Sequence, residues 1–223
     1  MGEAIALKPS DGAAVGGYMA KPSGTPKGHV IVVMEIFGVN NHIRNVVDRF
    51  AADGYVALAP QFFDRLGPKI ELGYTPETIQ QGIKHVTALG FDKALADVQA
   101  GVDVLKAGGA KKVGITGFCW GGTITWLSAC RLNLDAAVGY YGGGIHGARN
   151  EKPTCPTMLH FGDKDAHIPM THVNEIRQLH PNVIVYDYPA DHGFHCDERA
   201  SYDATASKLA YGRTLEFFAK HLA

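Results

Sequence analysis

No run of this 223-residue sequence comes near the roughly 20 apolar residues of a membrane-spanning helix, and the opening MGEAIALKPSDG has neither a basic start nor an apolar core. No membrane partner is expected, and a cytoplasmic location is. Cysteine is scarce: Cys119, Cys130, Cys155 and Cys196 lie far apart without paired spacing, which argues against a disulfide framework or a zinc ribbon and for reduced thiols. Charge of one sign is missing too. Lys and Arg number 21 against 22 Asp and Glu, and the cations are scattered, so nothing marks a footprint for nucleic acid or acidic lipid. No Pro/Ser-rich linker, composition shift, repeat or low-complexity segment divides the chain, which reads as a single domain over residues 1–223. A dinucleotide loop is absent as well, since Gly142-Gly143-Gly144 lacks the GxGxxG spacing. These exclusions leave a small-molecule partner and no cofactor, with monomer and homodimer both open.

What is present is alternation. Ala4 to Lys8 and Ala14 to Ala20 are short runs joined by the turn signal Ser10-Asp11-Gly12, so the chain is expected to open with an N-terminal β-hairpin. The β-branched run His29 to Met34 has the continuous apolar character of a strand covered on both faces. Asn40 or Asn41 can cap a helix to about Ala52, Tyr55 to Ala59 is the next strand, and Thr75-Pro76-Glu77 opens a helical region through Lys106 with an interruption at Gly90. Further strands are expected at Lys112 to Thr116, Ala136 to Tyr140, Thr157 to Phe161 and Val183 to Tyr188, with helices at Thr123 to Ala129, Met170 to Leu179 and Tyr202 to Leu222. Strands separated by helices imply an α/β fold, a mostly parallel central sheet covered by helices on both faces.

In such a sheet ligands bind beyond the carboxyl ends of the strands, so residues that follow strands are the candidates for chemistry. In GITGFCWGGTITW, Gly114 to Trp126, a short strand ends, Gly117, Gly121 and Gly122 bracket Cys119, and a helix begins. That is the pattern of a nucleophile elbow. A free thiol with a pKa of about 8.5 is mostly protonated near neutral pH, whereas a helix N-terminus and a nearby histidine both favour the reactive thiolate. The amide of Trp120, directly after Cys119, is a candidate oxyanion donor. Asp163 and Asp165 follow one strand in HFGDKDAHIP and His192 follows the next in VYDYPADHGFHCD, giving the chain order nucleophile, acid, histidine of the α/β-hydrolase triad. By spacing alone, either aspartate is an acid or a turn former. Glu35 stands directly after the His29 to Met34 strand and is expected to face the same crevice, the alternative being a strand-end carboxylate bonded to backbone. His192, His195, Cys196 and Asp197 invite a metal reading, but the HxxH spacing lacks a helix and a partner pair, so no metal is expected. Trp120, Phe37, Tyr140 and Tyr141 read as aromatic pocket lining, with core packing as the alternative.

Four stretches carry a resemblance. GFCWGG (Gly117 to Gly122), VMEIFGVN (Val33 to Asn40), GDKDAHIP (Gly162 to Pro169) and DHGF (Asp191 to Phe194) resemble the dienelactone hydrolase family in order and spacing, and the likeness covers nearly the whole chain. The resemblance implies an α/β-hydrolase fold and hydrolysis of small esters or lactones. It implies Cys119 as nucleophile, Asp165 as triad acid, His192 as triad base and Glu35 as a carboxylate that helps to activate the thiol. The amide of Ile36 is implied as the second oxyanion donor beside that of Trp120. There is also a departure. Family members acting on dienelactone hold its carboxylate with arginines, one of them four residues after the triad histidine, where this chain has Cys196. Another lies on the helix before the nucleophile region, where Pro76 to Leu89 offers Lys84 as its one permanent cation. Lys84 and Arg199 are the replacements to consider, neither in register. The expected activity is that of a cysteine-dependent hydrolase working through a Cys-His-Asp triad and a thioester, less suited to an anionic lactone. Its rivals are a non-catalytic binding protein that keeps the fold and a redox-active thiol protein. Against them stand the complete set of triad residue types and the absence of a C-x-x-C pair.

Overall fold

In the computed structural model, which describes residues 1–223, β1 (Glu3–Leu7) and β2 (Val15–Ala20) form the expected antiparallel pair. There follow β3 (Gly28–Val33), α1 (Asn41–Ala52), β4 (Tyr55–Pro60), α2 (Pro76–Leu89), α3 (Phe91–Ala107), β5 (Val113–Phe118) and α4 (Trp120–Arg131). The chain ends with β6 (Ala136–Tyr140), β7 (Thr157–Gly162), α5 (Met170–Leu179), β8 (Ile184–Tyr188) and α6 (Ala204–Leu222). All strands join one eight-stranded sheet in the order β1-β2-β4-β3-β5-β6-β7-β8. The pairings of β2 with β1 and β4 are antiparallel and all the others parallel, the α/β-hydrolase arrangement.

Burial explains the strand compositions. Every residue of β4, β5, β6 and β7 is buried, as strands covered on both faces require, whereas the edge strands β1 and β8 bury only one residue each. Helix ends follow local chemistry. The Asn40 side chain accepts from the Ile43 amide (3.2 Å), Thr75 and Thr78 cap each other around Pro76, and Asp203 accepts from Ala206 (2.8 Å). Gly90, with a φ of 74°, breaks the long helical region into α2 and α3.

One boundary differs from expectation in a way that matters. α4 starts at Trp120 rather than Thr123, because its first turn is squeezed against the sheet. A Cβ on Gly121 would strike the carbonyls of Val33 and Met34, and one on Gly122 would strike that of Tyr140. The two glycines, poor helix formers by about 1 kcal/mol each, are what lets the helix begin directly after Cys119.

Candidate active site

β5 delivers Cys119 at its carboxyl end with φ 55° and ψ −116°, a conformation costing a non-glycine residue about 1–3 kcal/mol. Hydrogen bonds hold the turn in place: the Cys119 amide donates to the Tyr140 carbonyl (3.0 Å), and the Cys119 carbonyl accepts from Gly122 (3.0 Å) and Thr123 (3.3 Å). The half-buried side chain lies in the wall of a cavity of about 350 Å³. Ile36 and Trp120 line the same cavity. The Trp120 amide, at the first position of α4, has no acceptor within its helix, and the Ile36 amide donates no hydrogen bond in the protein.

The loops after β7 and β8 meet at Asp165 and His192. Nδ1 of His192 lies 2.6 Å from Oδ2 of Asp165, whose fully buried carboxylate also accepts from the His167 amide at 2.8 Å. Burial by itself would raise the Asp165 pKa, but His192 and the His167 amide together hold it below the ordinary carboxylate range. Burial would likewise push His192 down, yet the Asp165 carboxylate and the Cys119 thiol raise it to about 10. An imidazole paired with a buried carboxylate has its orientation fixed, and one lining the same cavity as a thiol can take that thiol's proton. Asp163, which spacing could not separate from Asp165, is exposed, and its amide donates to the Tyr188 carbonyl (2.8 Å).

Glu35 is 1% exposed, and only one of its oxygens is engaged: Oε1 accepts from Arg199 Nη1 at 3.1 Å, while Oε2 has no hydrogen-bond partner. Neither oxygen bonds Cys119 or backbone. Arg199 lines the cavity and stacks over Phe37, 5.9 Å from the ring centroid. Burial opposes the Arg199 charge, but the Glu35 carboxylate outweighs it and raises the guanidinium pKa. Spacing placed Arg199 out of register. The chain folds back through successive turns, with Cys196 N–H on the Gly193 carbonyl (2.9 Å) and Arg199 N–H on that of Cys196 (3.1 Å), and so returns Arg199 to the site. Gly193, at φ 80°, leaves room that the guanidinium fills.

The outer wall of the cavity comes from α2, through Ile79 and Ile83 one turn apart. α2 buries only Gly82 and Leu89, so its apolar stripe serves the cavity rather than the core; that stripe was the signal available in the sequence. Of the expected lining residues, Phe37 and Trp120 are in the wall, and Lys84, Tyr140 and Tyr141 are not. Lys84 is exposed, because the residue next to Ile83 is turned about 100° around the helix. Tyr140 and Tyr141 are buried in the core; the Tyr140 hydroxyl bonds Thr214, and the Tyr141 ring packs 5.1 Å from that of His192. His195 stacks on Phe118 and bonds Ser207 through Nδ1 (2.9 Å), so it does not converge with His192.

With this geometry, residues 15–222 match the model of the dienelactone hydrolase family. The chain belongs to that family. A Synechocystis relative, provisionally named a carboxymethylenebutenolidase, is 37% identical over 233 residues, covering 96% of this chain and 95% of its own. The crystal structure of a Klebsiella pneumoniae protein carrying the dienelactone hydrolase name superposes with a TM-score of 0.85 at 33% identity, covering 99% of this chain and all of the other. A Pyrococcus furiosus esterase shares the fold, with a TM-score of 0.75 at 18% identity over the whole of this chain and 94% of its own. A member of the dienelactone hydrolase family is a hydrolase of ester or lactone bonds. No helix is long and apolar enough to cross a membrane.

Proposed function

We propose that this dienelactone hydrolase relative acts in the cytoplasm as one domain, monomer or homodimer, and cleaves small esters or lactones with Cys119 as nucleophile. The Cys119 thiolate attacks the substrate carbonyl, the amides of Ile36 and Trp120 receive the oxyanion, and the C–O bond breaks to leave a thioester. His192, oriented by Asp165, gives its proton to the departing alkoxide and then activates the water that releases the acid. Glu35 takes the thiol-activating part that the family resemblance implies, once substrate draws Arg199 away from it. The observation that carries this reading is the strained Cys119 turn, opening on a cavity next to an imidazole paired with a buried carboxylate.

The cavity also speaks for the substrate class. Ile36, Phe37, Ile79 and Ile83 favour an apolar body, and Arg199 offers a cation to a carboxylate or other polar end. The position that lost its arginine to Cys196 is thereby compensated from Arg199, and anionic lactones return as candidates.

The test is hydrolysis of a short chromogenic aryl ester and of a dienelactone. Cys119→Ala is expected to lower turnover at least about a thousandfold with unchanged circular dichroism. Asp165→Asn is expected to be far more damaging than Asp163→Asn. Most of the activity surviving in Cys119→Ala would sink the assignment of the nucleophile, and no activity of the folded wild type on either substrate would favour the binding or redox readings.

A further inference from the structure

Glu35, His42 and Cys196 reach one point from the loop after β3, the first turn of α1 and the loop before α6. The proposed reaction uses neither His42 nor Cys196. The three are 1%, 0% and 0% exposed, and one ligating atom from each lies within 4.8 Å of the others. Two polar atoms of this group, Glu35 Oε2 and His42 Nε2, have no hydrogen-bond partner. A buried polar atom without a partner is destabilising, so two in one cluster call for a ligand that satisfies both.

The surroundings are arranged for a cation. Asp197 Oδ1 lies 3.1 Å from His42 Nδ1, the carboxylate–histidine pairing that orients the other ring nitrogen toward a metal. Glu35 is steadied through Oε1 by Arg199, and Cys196 Sγ lies 3.3 Å from the Tyr74 hydroxyl, which accepts from Asn40 at 3.0 Å. We infer that Glu35, His42 and Cys196 form a binding site for a divalent cation of the zinc type, behind the cavity wall. Nitrogen, oxygen and sulfur donors together favour zinc over magnesium or calcium, which take oxygen. On binding, the Cys196 thiol releases its proton to solvent and its sulfur bonds the metal, while Glu35 Oε2 and His42 Nε2 each donate a lone pair. The two charges of the cation, with that of Arg199, are then met by three anions: Glu35, Asp197 and the Cys196 thiolate. Bonds of about 2.0–2.3 Å require the donors to draw together by about 1 Å. The HxxH spacing that argued against a metal concerned His192 and His195, and neither belongs to this set.

The test uses the whole chain, stripped with a chelator and titrated with Zn²⁺ against a chromophoric indicator, and separately loaded with Co²⁺. One cation per chain and a thiolate-to-cobalt charge-transfer band are expected in the wild type and equally in Cys119→Ala. Cys196→Ser should abolish the band and weaken Zn²⁺ binding at least about a hundredfold. Asp197→Asn should weaken it about tenfold, and this residue's half-exposed side chain makes the variant safe for folding if Cys196→Ser is not. The site is refuted by a wild type without stoichiometric binding, by binding lost in Cys119→Ala, or by Asp197→Asn and folded Cys196→Ser both binding as the wild type does.

Discussion

Arg65 with Asp97 and Arg199 with Glu35 are two arginine–carboxylate pairs finished to different degrees. Arg65 donates to both Asp97 oxygens (2.8–3.0 Å) and, with the rest of its guanidinium, to Asp11 (2.6 and 3.1 Å), tying α3 to the turn between β1 and β2. The Asp97 side chain is 0% exposed and Arg65 7%, and no polar atom of either is left over. Arg199 and Glu35 share a single contact, and Glu35 Oε2 is buried without a partner. A pair that only supports architecture consumes its hydrogen-bonding capacity, since a buried group left unpaired costs stability. The pair at the cavity keeps capacity free, at the place where a substrate or a cation would use it.

The comparison breaks if the two pairs respond alike to substitution. Asp97→Ala leaves the buried Arg65 guanidinium with Asp11 as its one remaining partner and should cost about 3 kcal/mol in urea unfolding, while kcat of the folded fraction stays near wild type. Glu35→Gln should do the reverse, lowering kcat about a hundredfold while unfolding shifts by only about 1–2 kcal/mol, because Arg199 still reaches the cavity. Equal losses of stability in the two variants would erase the distinction.

Two smaller effects sharpen it. His192 is raised to about 10 from an ordinary 6.5, so its charged form contributes stability that is fully present below about pH 6.5 and lost as pH rises through about 10. Its NMR titration should move back toward the ordinary value in Asp165→Asn, and an unmoved midpoint would detach the imidazole from that carboxylate. Gly193→Ala has the least expected effect. It strains a φ of 80° and displaces the Arg199 guanidinium, so KM for an anionic ester should rise several-fold while that for a neutral ester holds. A uniform rise would show that Arg199 does not read substrate charge.

The sequence by itself determined the order of strands and helices, the elbow at Cys119, and the strand ends that carry Glu35, Asp165 and His192. Those signals are local: β-branched runs buried on both faces, capping residues, and glycines without which α4 could not lie on β3 and β6. Choosing Asp165 over Asp163 already needed the family resemblance, and its 2.6 Å contact with His192 is a fact of tertiary structure. Only the folded chain replaced Lys84 with Arg199 at the cavity, turned Ile79 and Ile83 into its wall, and gathered Glu35, His42 and Cys196. Residues far apart in sequence, such as His42 and Cys196, meet only where the sheet order and the path of two loops bring them, and no local pattern encodes that path.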